Sequence, residues 1–157
     1  MKIGIIGAGN MGGAIARGLI ASGTIAAQDI YISCPNRHFE LDALRAFAPT
    51  INTSTSNEIA VVGTDLIIIA TKPWLVDSVM QPLVAMIDPR RQIIASVAAG
   101  VTLDYLSSLT GGGESSAAVF RIMPNTAIMV GQSMTFVSSA NASSEQNSVV
   151  ISLFEAL

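Results

Sequence analysis

The sequence predicts an α/β protein built on a mostly parallel sheet, and three observations carry that prediction. Short apolar runs alternate along the chain with stretches whose apolar residues recur at helical spacing. The clearest of these runs, Ile3–Ile6 and Leu66–Ala70, are apolar throughout, as in strands buried on both faces. A glycine-rich turn, Gly7 to Gly12, joins the first strand to the first helix.

The elements follow in order. Ile3–Ile6 reads as a strand closed by Gly7. Met11–Ala21 places Met11, Ile15, Leu19 and Ile20 on one helical stripe, and Gly23 stops it. Ile30-Tyr31-Ile32 is β-branched and aromatic and reads as a second strand. Phe39–Phe47 is a helix that ends before Pro49, and Thr50–Thr53 is a weak third strand. Asp65–Ala70 is the clearest strand. Pro73 then suits a first helical turn, and Leu75, Val79, Leu83 and Ile87 continue at four-residue steps. Pro82 falls inside that pattern and predicts a kink or two short helices. Gln92–Val97 is a strand, Leu103–Leu109 a short helix, and Gly111-Gly112-Gly113 a loop. Val119–Met123 and Met134–Val137 are later strands, and Ser144–Leu157 is a closing helix.

Composition narrows the function. The 157 residues suit one domain, and half are hydrophobic while only 12% are charged, against about 25% in an average soluble domain. That balance excludes disorder and suggests a surface meant to be partly covered. A net charge of −3 with scattered Lys and Arg argues against nucleic acid as a partner. The longest clean apolar run is far below the roughly 20 residues of a membrane span. The single Cys34 and the lack of a signal pattern point to a reducing cytoplasm. No metal-ligand cluster is expected.

Gly7-Ala8-Gly9-Asn10-Met11-Gly12 is a G-x-G-x-x-G between a strand and a helix, the context in which this pattern carries meaning. The first glycine allows a tight turn, the second lets backbone approach a pyrophosphate, and the third lets helix and strand pack closely. The helix start adds free N–H groups and positive dipole for the phosphates. This is the fingerprint of a Rossmann-like, doubly wound dinucleotide domain. The bland reading is a glycine-rich βα turn with no ligand.

NAD-binding domains place an acid at the end of the second strand for the ribose diol. Here that stretch reads Ile32-Ser33-Cys34-Pro35-Asn36-Arg37 and holds none; Asp29 begins the strand, at the other end of the sheet. Ser33 can donate to a 2′-phosphate and Arg37 can pair with it through a planar fork, so NADPH is expected over NADH. Arg37 could instead be a solvated charge. His38 reads as a solvated loop residue, and Cys34 as a small buried filler.

Three further segments narrow the class: Thr71-Lys72-Pro73, Ser96-Val97-Ala98-Ala99-Gly100-Val101 and Arg121-Ile122-Met123-Pro124-Asn125-Thr126. With the glycine turn they resemble the pyrroline-5-carboxylate reductases over nearly the whole chain; the Arg-x-Met-Pro-Asn-Thr run is the most specific piece. The resemblance implies NAD(P)H-dependent reduction of 1-pyrroline-5-carboxylate to L-proline, with the cofactor in an N-terminal domain. The resemblance further implies a helical C-terminal domain that forms the homo-oligomer contacts and the substrate pocket. It implies cofactor-binding roles for Gly7, Ala8, Gly9, Asn10, Met11 and Gly12, for Ser33, Pro35, Asn36 and Arg37, and for Asn57. It implies the same for Ala70, Thr71, Lys72 and Pro73 beside the ribose and nicotinamide, and for Ala98 and Ala99 along the nicotinamide. Asn125 is placed on the substrate side, and no catalytic residue is assigned. Ala127 departs from the family, which has proline there.

The expectation is therefore that residues 1–157 form the dinucleotide-binding domain. The last helix, about 144–157, would lead toward a helical dimerisation domain that this chain lacks. Lys72 would bond a ribose hydroxyl or, more blandly, cap a strand end; Asn125 would fix the loop or simply serve a turn. Two other functions remain open. One is another small NADP-dependent reductase, such as a deazaflavin-dependent enzyme or a β-hydroxyacid dehydrogenase, against which the Arg-Ile-Met-Pro-Asn-Thr run argues. The other is a non-catalytic NADP-binding module.

Overall fold

Among the described residues, seven strands form one sheet. They are β1 (Ile3–Ile6), β2 (Ile30–Ser33), β3 (Asn52–Ser54), β4 (Leu66–Ile69), β5 (Ile93–Ser96), β6 (Ala118–Met123) and β7 (Phe136–Ala140). The helices are α1 (Asn10–Ala21), α2 (His38–Phe47), α3 (Val76–Met80), α4 (Leu103–Ser108) and α5 (Ser144–Glu155). The computed structural model describes residues 1–112 and 116–157. The strand order is β3-β2-β1-β4-β5-β6-β7, with β1 to β6 parallel and β7 antiparallel to β6. This is the expected Rossmann-like, doubly wound sheet.

The continuous apolar strands are explained by two cores. Ile3, Ile5 and Ile68 point to one face and pack with Leu19, Leu41, Leu44, Leu153 and Phe154, so α1, α2 and α5 cover that side. Ile6, Ile67 and Ile69 point to the other face and pack with Val76, Met80 and Leu106, which brings in α3 and α4. Side chains alternate across a strand, so a strand covered on both faces must be apolar at every position. Cys34 is a buried free thiol, the filler expected of it.

Differences from the sequence reading have local causes. Pro82 does break the helical pattern: a 3-10 turn over Pro73–Leu75 leads into α3, and a second 3-10 turn, Val84–Met86, follows Pro82. Strand β7 runs Phe136–Ala140 rather than Met134–Val137. Its ladder with β6 opens at the Met123–Phe136 pair, and just before it the Thr135 hydroxyl donates to Ser133 Oγ at 2.9 Å. The β6–β7 connection carries only a 3-10 turn, Thr126–Val130, closed by Gly131 at φ +67°. Without a crossover helix the chain returns antiparallel. Helix α5 ends at Glu155, two residues earlier than predicted. Its start is fixed by a reciprocal cap, in which Ser143 Oγ accepts from Gln146 N and Gln146 Oε1 accepts from Ser143 N. Gly111 and Gly112 turn after α4 as expected, and Gly113 lies outside the described residues. Among the described residues, no helix is long and apolar enough to cross a membrane.

Candidate functional site

Because β1 to β6 are parallel, their carboxyl ends share one edge. The chain winds outward in both directions from the β1–β4 pair, and such a switch point opens a crevice beyond the strand ends. Every segment singled out in the sequence reaches that edge. Gly7 follows β1, Ser33 ends β2, Asn57 lies three residues past β3, Ala70 follows β4, Ala98 lies two past β5, and Asn125 two past β6.

The three glycines take the three places the motif requires. Gly7 has φ +109°, and a Cβ there would stand 2.7 Å from the Ala70 carbonyl oxygen. Only glycine adopts that conformation at such a contact without strain. A Cβ on Gly12 would collide with the carbonyl oxygen of Gly7 and reach Ala70 Cβ at 3.1 Å, so α1 packs directly on the turn. Gly9 has nothing within 4 Å of a built Cβ and faces open space. Helix α1 has no side-chain cap and no acid in its first turn. Its leading N–H groups therefore remain available to an acceptor, with the helix dipole behind them.

At the β2 end the structure changes the assignment made to Ser33. Its side chain is fully buried, and its hydroxyl donates to Asn57 Oδ1 at 2.8 Å. Ser33 thus holds Asn57, whereas the sequence reading has its proton serving a 2′-phosphate. With Oδ1 accepting, the donor end of the Asn57 amide is left free among the described residues. Cys34 N donates to Ser54 O at 3.0 Å, which ties the start of the next loop to β3. Pro35, Asn36 and Arg37 follow, all exposed. Arg37 Nη1 donates to Glu40 Oε1 at 2.6 Å, with the Arg37 side chain 55% exposed. The hydrogen bond to Arg37 holds the Glu40 carboxyl below its usual range, and the same bond raises the Arg37 guanidinium above its own. His38 is exposed and opens α2.

Around β4, Ala70 N donates to Ile6 O at 2.9 Å and the Ala70 methyl sits beside Gly12, so the β4 end and the glycine turn form one wall. Thr71 Oγ1 is buried without a hydrogen-bond partner. Thr53 Oγ1 and Arg121 Nε share that condition among the described residues, but they lie within β3 and β6, whereas Thr71 lies past the end of β4. Lys72 and Pro73 are exposed; Lys72 Nζ lies 6.0 Å from the centre of the exposed Trp74 ring. Past β5, the buried Ser96 Oγ accepts from Ala98 N at 3.2 Å, which sets the turn bearing buried Ala98 and exposed Ala99. Past β6, Asn125 Oδ1 accepts from Ala127 N at 3.0 Å and Asn125 N donates to Ser133 Oγ at 3.2 Å. Asn125 fixes its loop by capping the turn that follows it.

One feature of this edge had no sequence signal. Tyr105 Oη donates to Asp77 Oδ1 at 3.1 Å, across 28 residues of chain. The two line a cavity of about 280 Å³ with Pro73, Gly100, Val101 and Thr102. Desolvation, followed by the bond to Asp77, raises the Tyr105 phenol above its usual range, so it stays protonated.

Comparison with known proteins agrees with this geometry. A family model described as "NADP oxidoreductase coenzyme F420-dependent" matches residues 2–100. The pyrroline-5-carboxylate reductase of Escherichia coli (strain K12) is 34% identical over 154 residues, covering 98% of this chain and 55% of that protein. Pyrroline-5-carboxylate reductase from Coxiella burnetii superposes with a TM-score of 0.88 at 26% identity, over 99% of this chain and 56% of its own. The Plasmodium falciparum pyrroline carboxylate reductase, solved with NADP bound, superposes with a TM-score of 0.83 at 25% identity, over 99% and 55%. The chain spans about half the length of the curated relatives it matches. The resemblance read from the motifs is thus borne out by relatives of that name. The coenzyme in the family description is part of the family's name and is not carried to this chain. With nearly two thirds of its residues matched by the family model, the chain belongs to the NADP oxidoreductase, coenzyme F420-dependent, family.

Proposed function

We propose that this chain is the cofactor-binding part of an NADPH-dependent reductase that converts 1-pyrroline-5-carboxylate to L-proline. The observation that carries the reading is the open space over Gly9 at the uncapped start of α1, together with the orphaned Thr71 hydroxyl past the end of β4. Those features fit a dinucleotide: N–H donors without partners for a pyrophosphate, and an unpaired hydroxyl in the crevice for a ribose. The named relatives supply the substrate.

In this reading Gly7, Ala8, Gly9, Asn10, Met11 and Gly12 hold the pyrophosphate through backbone N–H groups. Asn57 offers its amide donors, oriented by Ser33. Pro35, Asn36 and Arg37 form the adenosine-phosphate loop, and Arg37 meets a 2′-phosphate by exchanging Glu40 for it. Thr71 and Lys72 bond ribose hydroxyls, while Ala70, Pro73, Ala98 and Ala99 leave flat, uncharged walls for the nicotinamide. When bound, NADPH supplies the hydride that reduces a C=N bond. The protein's part is to orient the reactants and exclude water. A protonated imine is already electrophilic, so no protein nucleophile is required, and proximity supplies much of the rate.

Residues 1–157 act as one dinucleotide-binding domain. Asn125 faces the substrate side, in a loop it caps itself. Homo-oligomer formation belongs to the whole protein, in the cytoplasm. The test is NADPH absorbance followed as pyrroline-5-carboxylate is added to the gene product as cells make it. NADPH consumption matched by proline formation supports the reading; neither appearing overturns it. The 157-residue chain alone is expected to bind NADPH yet turn over slowly. Its crevice offers an anionic imine few groups that would hold it at near-attack distance.

A further inference from the structure

A larger cavity, about 530 Å³, lies on the other side of α1 from the sheet. Its floor is one stripe of that helix, including Ala14, Arg17 and Gly18. Its walls are Phe47 at the end of α2 and Ile128 and Val130 of the turn between β6 and β7. The size falls within the range of small-molecule sites. The lining is mainly apolar, with Asn10 and Ser22 as uncharged polar residues; Arg17 is the single charged residue there, and among the described residues no carboxylate lines the cavity.

Among the described residues, Arg17 is held without an anion. Its guanidinium carbon stands 5.9 Å from the centre of the Phe47 ring, a cation–π distance. Its Nη1 lies so close to Gly13 that a Cβ there would be 3.3 Å away. The three ion pairs among the described residues join Arg37, Arg45 and Arg91 to acids; none involves Arg17. A planar guanidinium fork matches a carboxylate, while Phe47, 47% exposed, offers a ring face beside it. Val130, 74% exposed, forms an apolar rim.

We propose that this cavity is a binding site for a small aryl or short-chain carboxylate. The carboxylate pairs with Arg17, and the apolar body lies over Ala14 and Gly18 against Phe47. It opens beside α1 and shares with the crevice at the strand ends only Asn10, the first residue of that helix; the carboxylate pairs with Arg17, which the crevice does not use.

Benzoate is the probe, with benzyl alcohol as an uncharged match of similar shape, followed by ligand-observed and amide-shift NMR on the 157-residue chain. Benzoate should bind at least several-fold tighter than benzyl alcohol, shifting amides of α1 and of residues 126–131. The preference should shrink at high salt, as a partly exposed charge pair does. Arg17→Met keeps the apolar stem and should weaken benzoate about tenfold while leaving benzyl alcohol unchanged. Phe47→Leu should weaken both. NADPH added to saturation should leave the benzoate titration in place. Equal binding of the two probes, an Arg17→Met protein that still prefers benzoate, or displacement of benzoate by NADPH would each overturn the proposal. So would concentration-dependent dimerisation that buries this face and blocks the probe, since the occupant would then be a second copy of the chain.

Discussion

Ser33 donates its hydroxyl proton to Asn57 Oδ1 across 2.8 Å, and that bond fixes which end of the Asn57 amide remains to donate. The serine is buried, so its effect on a ligand passes through the asparagine. Ser33→Ala should leave the fold intact and cost about 1 kcal/mol, the scale of one lost hydrogen bond. NADPH affinity should fall several-fold because the amide is free to turn over. Calorimetric titration beside a thermal melt separates the two effects, and Asn57→Ala should lose more affinity than Ser33→Ala while melting at a similar temperature.

Gly9 and Gly12 carry opposite predictions although both belong to the glycine turn. Gly9→Val places a side chain in open space, where the backbone is extended at φ −70° and ψ −167°. The protein should keep its helical circular dichroism and melting temperature yet lose NADPH binding. Gly12→Ala drives a methyl into the Gly7 carbonyl, and overpacking of that kind costs about 1–3 kcal/mol. Its melting temperature should fall whether or not NADPH is present.

Arg37 and Glu40 compete over one guanidinium. Arg37→Ala should weaken NADPH about tenfold or more, as loss of charge-assisted bonds does, and leave NADH nearly unchanged. Glu40→Gln frees the guanidinium and should tighten NADPH. Glu40's carboxyl is held below its usual range in the folded chain. Any support the pair gives the fold is therefore fully present above the ordinary carboxylate range and is lost as pH falls through the lowered value. Near neutral pH, Glu40 is ionised and the competition is at full strength. Titrations of both cofactors against both variants decide it.

Ser143 caps α5 and Gln146 returns the bond. Ser143→Ala should destabilise the chain by about 1 kcal/mol, read as a lower denaturant midpoint with an unchanged slope. NADPH binding to the remaining folded protein should be unaltered.

The fold was legible because its signals are local. Ile3–Ile6 and Leu66–Ile69 announce two-sided burial in their own composition, and the glycine turn declares itself by spacing: Gly7 by its left-handed backbone, Gly12 by a contact no Cβ fits, and Gly9 by the open space it leaves. The direction of β7 was not legible. The turn at Thr126–Val130 replaces a crossover helix, and nothing in its residues declares that. Two further signals lie in the sequence: the Ser143–Gln146 spacing of a reciprocal cap, and the three-residue spacing of Arg37, just before α2, and Glu40 in its first turn. The partnerships of Ser33 with Asn57, Tyr105 with Asp77, and Arg17 with Phe47 join residues far apart in the chain. Only the folded sheet brings them together, so single-residue reading could name Ser33 and Asn57 as site candidates but could not say that one acts through the other.

The most direct test of the reading of the crevice is titration calorimetry of the 157-residue chain with NADPH and NADH under identical conditions. The expected result is one NADPH per chain, bound more tightly than NADH, with the heat lost in Gly9→Val. No binding of either cofactor, equal or NADH-favoured affinity, or undiminished binding in Gly9→Val would contradict it.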